Sequence, residues 1–74
     1  MKLTPSTHDF TAVYIVHGVV LNDPAHHIYT RKDGHFIDEW SLYSFERAQK
    51  LGLTLAMEYD VPCQSILFAK DMPE

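Results

Sequence analysis

The chain encodes more apolar sheet surface than one helix can cover. Residues 10–21, 26–32, 35–40 and 65–70 are rich in β-branched and aromatic side chains, which favour strands. Only one stretch, which begins near Ser44 and ends near Asp60, has apolar residues at helical spacing. Ser41 or Ser44 can cap its N-terminus. Because one helix covers one face of a sheet, the other face is expected to meet a partner.

Composition and charge exclude several classes of protein. Apolar residues make up 46% of the 74 residues, which argues against disorder. The net charge of -4 argues against binding to duplex DNA, which needs a basic surface. The longest apolar run, 12–21, is interrupted by His17 and Gly18 and is too short to span a membrane. Residues 1–5 lack the apolar stretch of a signal peptide, so we expect none, and one cysteine fits a reduced, cytoplasmic protein.

Turn-forming residues separate the predicted segments. Asp33-Gly34 lies between two strand-like runs and favours a two-residue type I′ hairpin turn. Residues 22–25, with the sequence NDPA, predict the preceding turn. Pro62 ends the helix, because the residue before a proline avoids the α region. Gly52 lies within the apolar stripe of the helix and predicts a close helix–sheet contact.

The order of these segments predicts an α+β, two-layer domain of the β-β-β-α-β type. The first three strands form an antiparallel meander, and the helix packs on one face of the sheet. The fourth strand lies beside the first and parallel to it, which gives the sheet order 3-2-1-4. We expect residues 1–74 to form a single domain, with an N-terminal arm at 1–9 and a tail at 71–74.

The two turns determine which side chains share a face of the sheet. On one face the expected pairs are Lys32–His35, Thr30–Ile37 and Ile28–Glu39, and on the other they are Arg31–Phe36, Tyr29–Asp38 and His27–Trp40. A turn centred on residues 23–24 pairs Leu21 with His26 and Val19 with Ile28. The first strand then contributes Val13, Ile15, His17, Val19 and Leu21 to the first face and Phe10, Ala12, Tyr14, Val16, Gly18 and Val20 to the second. We expect the helix on the first, aliphatic face, because Arg31 and Asp38 would be costly in a core.

The second face carries the predicted partner-binding residues. They are Tyr14, Tyr29, Arg31, Phe36, Asp38 and Trp40. Tyrosine, tryptophan and arginine are common anchors of protein interfaces, so we expect contact with another protein or, in a homodimer, with a second copy. A second sheet layer or the N-terminal arm could cover this face instead. Its aromatic rings could also stack on single-stranded nucleic acid, although the basic groove that such binding uses is missing.

The histidines and the cysteine predict no chemistry. His26 and His27 point to opposite sides of a strand and cannot share one metal ion from there. His17 is expected on the aliphatic face beside Thr30, without a nucleophile or carboxylate converging on it. We expect Cys63 to have no functional role, with a reactive thiol as the alternative. We therefore expect no catalytic residue, no metal site, no cofactor and no enzymatic activity.

Two resemblances concern the architecture. Residues 44–71, SFERAQKLGLTLAMEYDVPCQSILFAKD, resemble the helix and last strand of some small phage anti-CRISPR proteins. The order of three antiparallel strands, a helix and a fourth strand also resembles the truncated RNase H-like domain of HicB-type antitoxins. The first resemblance implies a small non-enzymatic inhibitor from a phage or mobile element that blocks a host protein complex. The alternative is a homodimeric or antitoxin-like regulatory module, and no functional residue carries over from either family.

Overall fold

The computed structural model describes residues 5, 9–20 and 23–67, without the side chains at 19, 20, 23 and 24. This part of the chain forms β1 Ala12–Val20, β2 Asp23–Lys32, β3 His35–Leu42, α1 Phe45–Tyr59 and β4 Cys63–Ile66. The strands form one sheet in the order β3-β2-β1-β4, in which β1 is antiparallel to β2 and parallel to β4. The predicted α+β fold is confirmed. Residues 68–70 of the predicted fourth strand, the tail at 71–74 and most of the predicted arm lie outside the described residues.

The β2–β3 hairpin has the predicted turn. Lys32 pairs with His35, so Asp33 and Gly34 form a two-residue loop. Both loop residues have a positive φ, 52° at Asp33 and 80° at Gly34, as a type I′ turn requires. A side chain at position 34 would therefore strain the backbone.

The β1–β2 turn lies earlier in the chain than predicted. Val20 pairs with Asp23, so residues 21–22 connect the strands, and β2 continues through the predicted turn at 22–25. His26 consequently pairs with His17 instead of Leu21, a shift of four residues. Because four is an even number, each side chain keeps its predicted face.

A bulge in β3 changes the position of Trp40. Tyr29 pairs with Asp38 as predicted, but the next pair is Ile28 with Trp40, so Glu39 is an extra residue in β3. The predicted pairs Ile28–Glu39 and His27–Trp40 are therefore wrong. Trp40 lies on the helix-facing side and packs against the core, where its indole ring is partly removed from water.

The core lies between α1 and the aliphatic face of the sheet, as predicted. Its buried side chains are Phe10, Val13, Ile15, Ile28, Ala48, Leu55 and Ala56. Phe10 was expected on the opposite face, but it precedes β1, where strand alternation does not apply. Its ring packs against that of Tyr59, with centroids 5.1 Å apart.

Local signals set the two ends of α1. Ser44 caps the N-terminus, and its side chain accepts a hydrogen bond from the Arg47 backbone N–H. At the C-terminus Asp60 adopts a left-handed conformation, with φ of 55°, and its N–H bonds the carbonyls of Ala56 and Met57. These ends agree with the helix predicted from near Ser44 to Asp60.

Candidate functional site

The sheet face opposite α1, here called the outer face, carries most of the residues predicted to bind a partner. They are Tyr14 on β1, Tyr29 and Arg31 on β2, and Phe36 and Asp38 on β3. Cross-strand pairing places Tyr14 opposite Tyr29, Arg31 opposite Phe36 and Tyr29 opposite Asp38. The remaining predicted residue, Trp40, lies on the other face.

Phe36 is the centre of contacts on the outer face. Its ring meets that of Tyr14 edge to face, with centroids 5.4 Å apart and an interplanar angle of 72°. The guanidinium carbon of Arg31 lies 5.1 Å from the Phe36 centroid. Edge-to-face rings and a cation over a ring are both favourable arrangements of the aromatic quadrupole. These contacts favour one arrangement of Arg31 and Phe36 on the surface.

Polar groups adjoin these rings. The Nδ1 atom of His27 lies 3.3 Å from Oδ2 of Asp38 and 2.9 Å from Oγ of Ser41. Burial is the main cause that raises the pKa of Tyr29, and the negative charge of the Asp38 carboxylate is the second. Tyr29 therefore keeps its hydroxyl proton at neutral pH and can donate it to an acceptor.

The centre of the outer face is buried, although α1 lies on the other side of the sheet. Tyr14, Val16 and Ile66 are 8%, 2% and 4% exposed and form a second buried cluster. The expectation of an uncovered aromatic face therefore does not hold for its centre. Accessible area remains around it, on a group that we call the outer-face patch: Tyr29, Arg31, Phe36 and Asp38.

The helix-facing side contains a histidine pair that the sequence analysis missed. His17 and His26 are only 6% and 8% exposed, and their Nδ1 atoms are 2.8 Å apart. A hydrogen bond between two Nδ1 atoms requires one of them to carry the proton and the other to accept it. Burial and the nearby His26 lower the pKa of His17.

Two further side chains fix the His17 ring. Its Nε2 atom lies 2.9 Å from Oγ of Ser65 on β4. The Phe45 ring, at the start of α1, stacks on it with centroids 4.5 Å apart and planes inclined by 25°. Because β1, β2, β4 and α1 each contribute one side chain, no local sequence pattern could reveal this cluster.

The described residues contain no group of three or more histidine, cysteine or acidic side chains that could hold a metal ion. The histidine pair does not have metal-ligand geometry either, because its nitrogens face each other at hydrogen-bond distance. Burial raises the pKa of the Cys63 thiol, which disfavours the reactive thiolate.

Comparison with known proteins does not assign a function to either of these two groups of residues. No protein-family model, curated protein or solved structure matches the chain. Within the described residues, α1 does not have the length and hydrophobicity needed to cross a membrane. The side chains described above are therefore the basis for assigning a function.

Proposed function

We propose that this chain is a small protein-binding module and that the outer-face patch is its contact surface. The observation that carries the proposal is the arrangement of Tyr29, Arg31 and Phe36 around the buried cluster of Tyr14, Val16 and Ile66. Interface hot spots combine such residues with neighbours that exclude water. Binding of this kind needs no cofactor and no catalytic residue.

The narrower form of the proposal is an inhibitor that blocks a host protein complex, as the resemblance to phage anti-CRISPR proteins implies. A net charge of -4 supports it, because an acidic protein is attracted to basic surfaces. The single cysteine, which cannot form an intrachain disulfide, supports action in the cytoplasm.

A homodimeric module is the second candidate, and the charges of the patch favour it. In a two-fold symmetric interface the same surface meets itself, so it must carry groups that complement each other. The outer-face patch carries one cation, Arg31, and one anion, Asp38, on adjacent strands. Two copies could place each arginine near the partner's aspartate, with aromatic rings between them.

Substitution of two tyrosines tests the proposal. Tyr29→Ala removes a half-buried ring from the patch, whereas Tyr43→Ala removes one that is 82% exposed in the β3–α1 connection. Light scattering over a concentration series measures self-association, and affinity capture followed by mass spectrometry measures binding to other proteins. We expect Tyr29→Ala alone to weaken association, by roughly 2 kcal/mol if it is a hot spot.

The two candidates give different results in this experiment. A dimer that dissociates in Tyr29→Ala supports the homodimer. A monomer that captures one protein with Tyr43→Ala but not with Tyr29→Ala supports the binding module with a separate partner. A monomer whose captured proteins are the same for both variants contradicts the proposed surface.

A further inference from the structure

Ser65, His17 and His26 form a chain of hydrogen bonds on the helix-facing side of the sheet, here called the serine–histidine relay. Oγ of Ser65 lies 2.9 Å from Nε2 of His17, and Nδ1 of His17 lies 2.8 Å from Nδ1 of His26. Each imidazole nitrogen of His17 thus has its own partner. The relay lies on the opposite face from the outer-face patch and has no part in the proposed binding function.

This order of groups is the one that activates a hydroxyl as a nucleophile. A base lies within hydrogen-bond reach of the hydroxyl, and a third group behind the base holds its tautomer and orientation. When Nδ1–H of His17 donates to His26, Nε2 carries the lone pair that accepts the Ser65 proton. His26 then takes the position that a carboxylate occupies in the better-known triads, without the negative charge.

Burial and exposure fit these roles. Ser65 is exposed on β4, at the end of the sheet order, so this end of the relay borders solvent. His17 is 6% exposed and is stacked against Phe45, so its ring keeps a single orientation. Burial and His26 lower the pKa of His17, so at neutral pH the imidazole is unprotonated and able to act as a base.

We propose that Ser65 is an activated nucleophile that accepts acyl groups from ester-type donors. Its Oγ attacks the carbonyl carbon and forms the new C–O bond, while its proton moves to Nε2 of His17. The bond from the carbonyl carbon to the leaving oxygen then breaks, and His17 returns the proton to the leaving alcohol. The product is an acyl ester on Ser65, and water releases the acyl group as the acid by the same proton transfers.

Ser41 is a control for Ser65 within the same molecule. Its Oγ also lies 2.9 Å from an imidazole nitrogen, Nδ1 of His27. The Asp38 carboxylate faces that same nitrogen at 3.3 Å, so it does not stand behind the base as His26 stands behind His17. Ser41 therefore has a nearby imidazole without the relay.

Labelling of the full chain with a fluorophosphonate, which reacts with activated serines, tests the proposal. The adduct is located by peptide mass mapping in the unmodified chain and in the Ser65→Ala and Ser41→Ala variants. We expect labelling of Ser65 to be on the order of 100-fold faster than that of Ser41, as general-base assistance predicts. It should disappear in Ser65→Ala and persist in Ser41→Ala. Equal rates at both serines, no adduct at Ser65, or unchanged total labelling in Ser65→Ala would overturn the proposal.

A pH profile tests the role of His17 without relying on a variant that has to fold. Release of nitrophenolate from p-nitrophenyl acetate, measured as the difference between the unmodified chain and Ser65→Ala, should rise as His17 loses its proton and then level off. The rate should reach its plateau by about pH 7, because the pKa of His17 is lowered from its usual value. A difference rate that increases continuously with hydroxide concentration would contradict general-base assistance and the proposal.

Discussion

Gly52 of α1 lies directly against Ile15 of β1. A Cβ atom at position 52 would come within 2.5 Å of Cδ1 of Ile15 and 3.5 Å of Cδ1 of Ile28. The helix thus approaches the sheet so closely that there is no room for a methyl group. This contact brings α1 down onto the aliphatic face, and the Ile15 side chain, which is 1% exposed, fills the space that a larger residue would need.

Gly52→Ala should destabilise the protein although it improves helix propensity. Alanine gains about 1 kcal/mol over glycine in a helix, but overpacking of a filled core costs about 1–3 kcal/mol. We therefore expect the free energy of unfolding to fall by about 1 kcal/mol, measured by urea denaturation. Thr54→Ala, at an exposed position of the same helix, is the control and should leave stability unchanged or raised. An increase in stability for Gly52→Ala would mean that Ile15 can move aside.

Trp40→Ala should lower stability, because Trp40 packs against the core under α1. Truncation of a fully buried tryptophan to alanine lowers the free energy of unfolding by about 3–5 kcal/mol. Because Trp40 is only partly buried, we expect a loss of roughly 2 kcal/mol. Ile28→Ala, at a fully buried neighbour, should cost about 2–5 kcal/mol. Thermal melting of both variants measures the two effects. A Trp40→Ala variant with unchanged stability would contradict the bulge in β3.

The single tryptophan also gives a direct check of this position. Its fluorescence should report the loss of helix–sheet packing on unfolding, because the indole contacts the core. An acrylamide quenching experiment should find Trp40 less accessible in the folded chain than in urea. Equal quenching in both states would place the ring in water.

The features predicted correctly from the sequence are those set by nearby residues. The Asp33-Gly34 turn needs two positive φ angles, and few residue pairs adopt them easily. Ser44, one of the two predicted caps, and Pro62 limit the helix through local hydrogen bonds and sterics. Gly52 predicts the close contact because a glycine costs helix propensity, and within an apolar stripe close packing can offset that cost.

The features that were missed depend on long-range pairing. NDPA at 22–25 is a good turn sequence, yet a longer β1–β2 ladder forms and Pro24 pairs near its end. The bulge at Glu39 turns Trp40 towards the core, and nothing in the local alternation indicates an extra residue. The His17–His26 pair results from the shifted β1–β2 pairing. Because the turn was predicted at the wrong residues, the sequence did not place these two histidines together.

The acidic charge should prevent binding to duplex DNA. A net charge of -4 repels phosphates, and the cation pair Arg31-Lys32 is partly engaged, since Nζ of Lys32 lies 2.8 Å from Oδ2 of Asp9. Fluorescence anisotropy with a labelled duplex at physiological salt should show no saturable binding. Micromolar binding that weakens steeply with added salt would reveal a local basic surface.

Stability should fall as the pH drops through the normal range of histidine. The pKa of His17 is lowered in the folded chain, mainly by burial and then by His26, from the value of 6.5 that applies when it is unfolded. The unfolded chain therefore binds more protons, and the stabilisation is complete above pH 6.5 and lost progressively below it. Protonation of the accepting Nδ1 atom would also break the hydrogen bond between the two Nδ1 atoms.

Urea denaturation from about pH 7.5 to about pH 5.5, a range that separates histidine titration from that of most carboxylates, measures this effect. The unmodified chain should show a falling midpoint over the range. His35→Gln, which changes an exposed histidine, should show the same fall, whereas His17→Gln should be less stable at neutral pH but depend less on pH. If His17→Gln does not fold, the comparison with His35→Gln still shows whether an exposed histidine is responsible. A midpoint in the unmodified chain that stays constant or rises as the pH falls would contradict the buried, neutral pair.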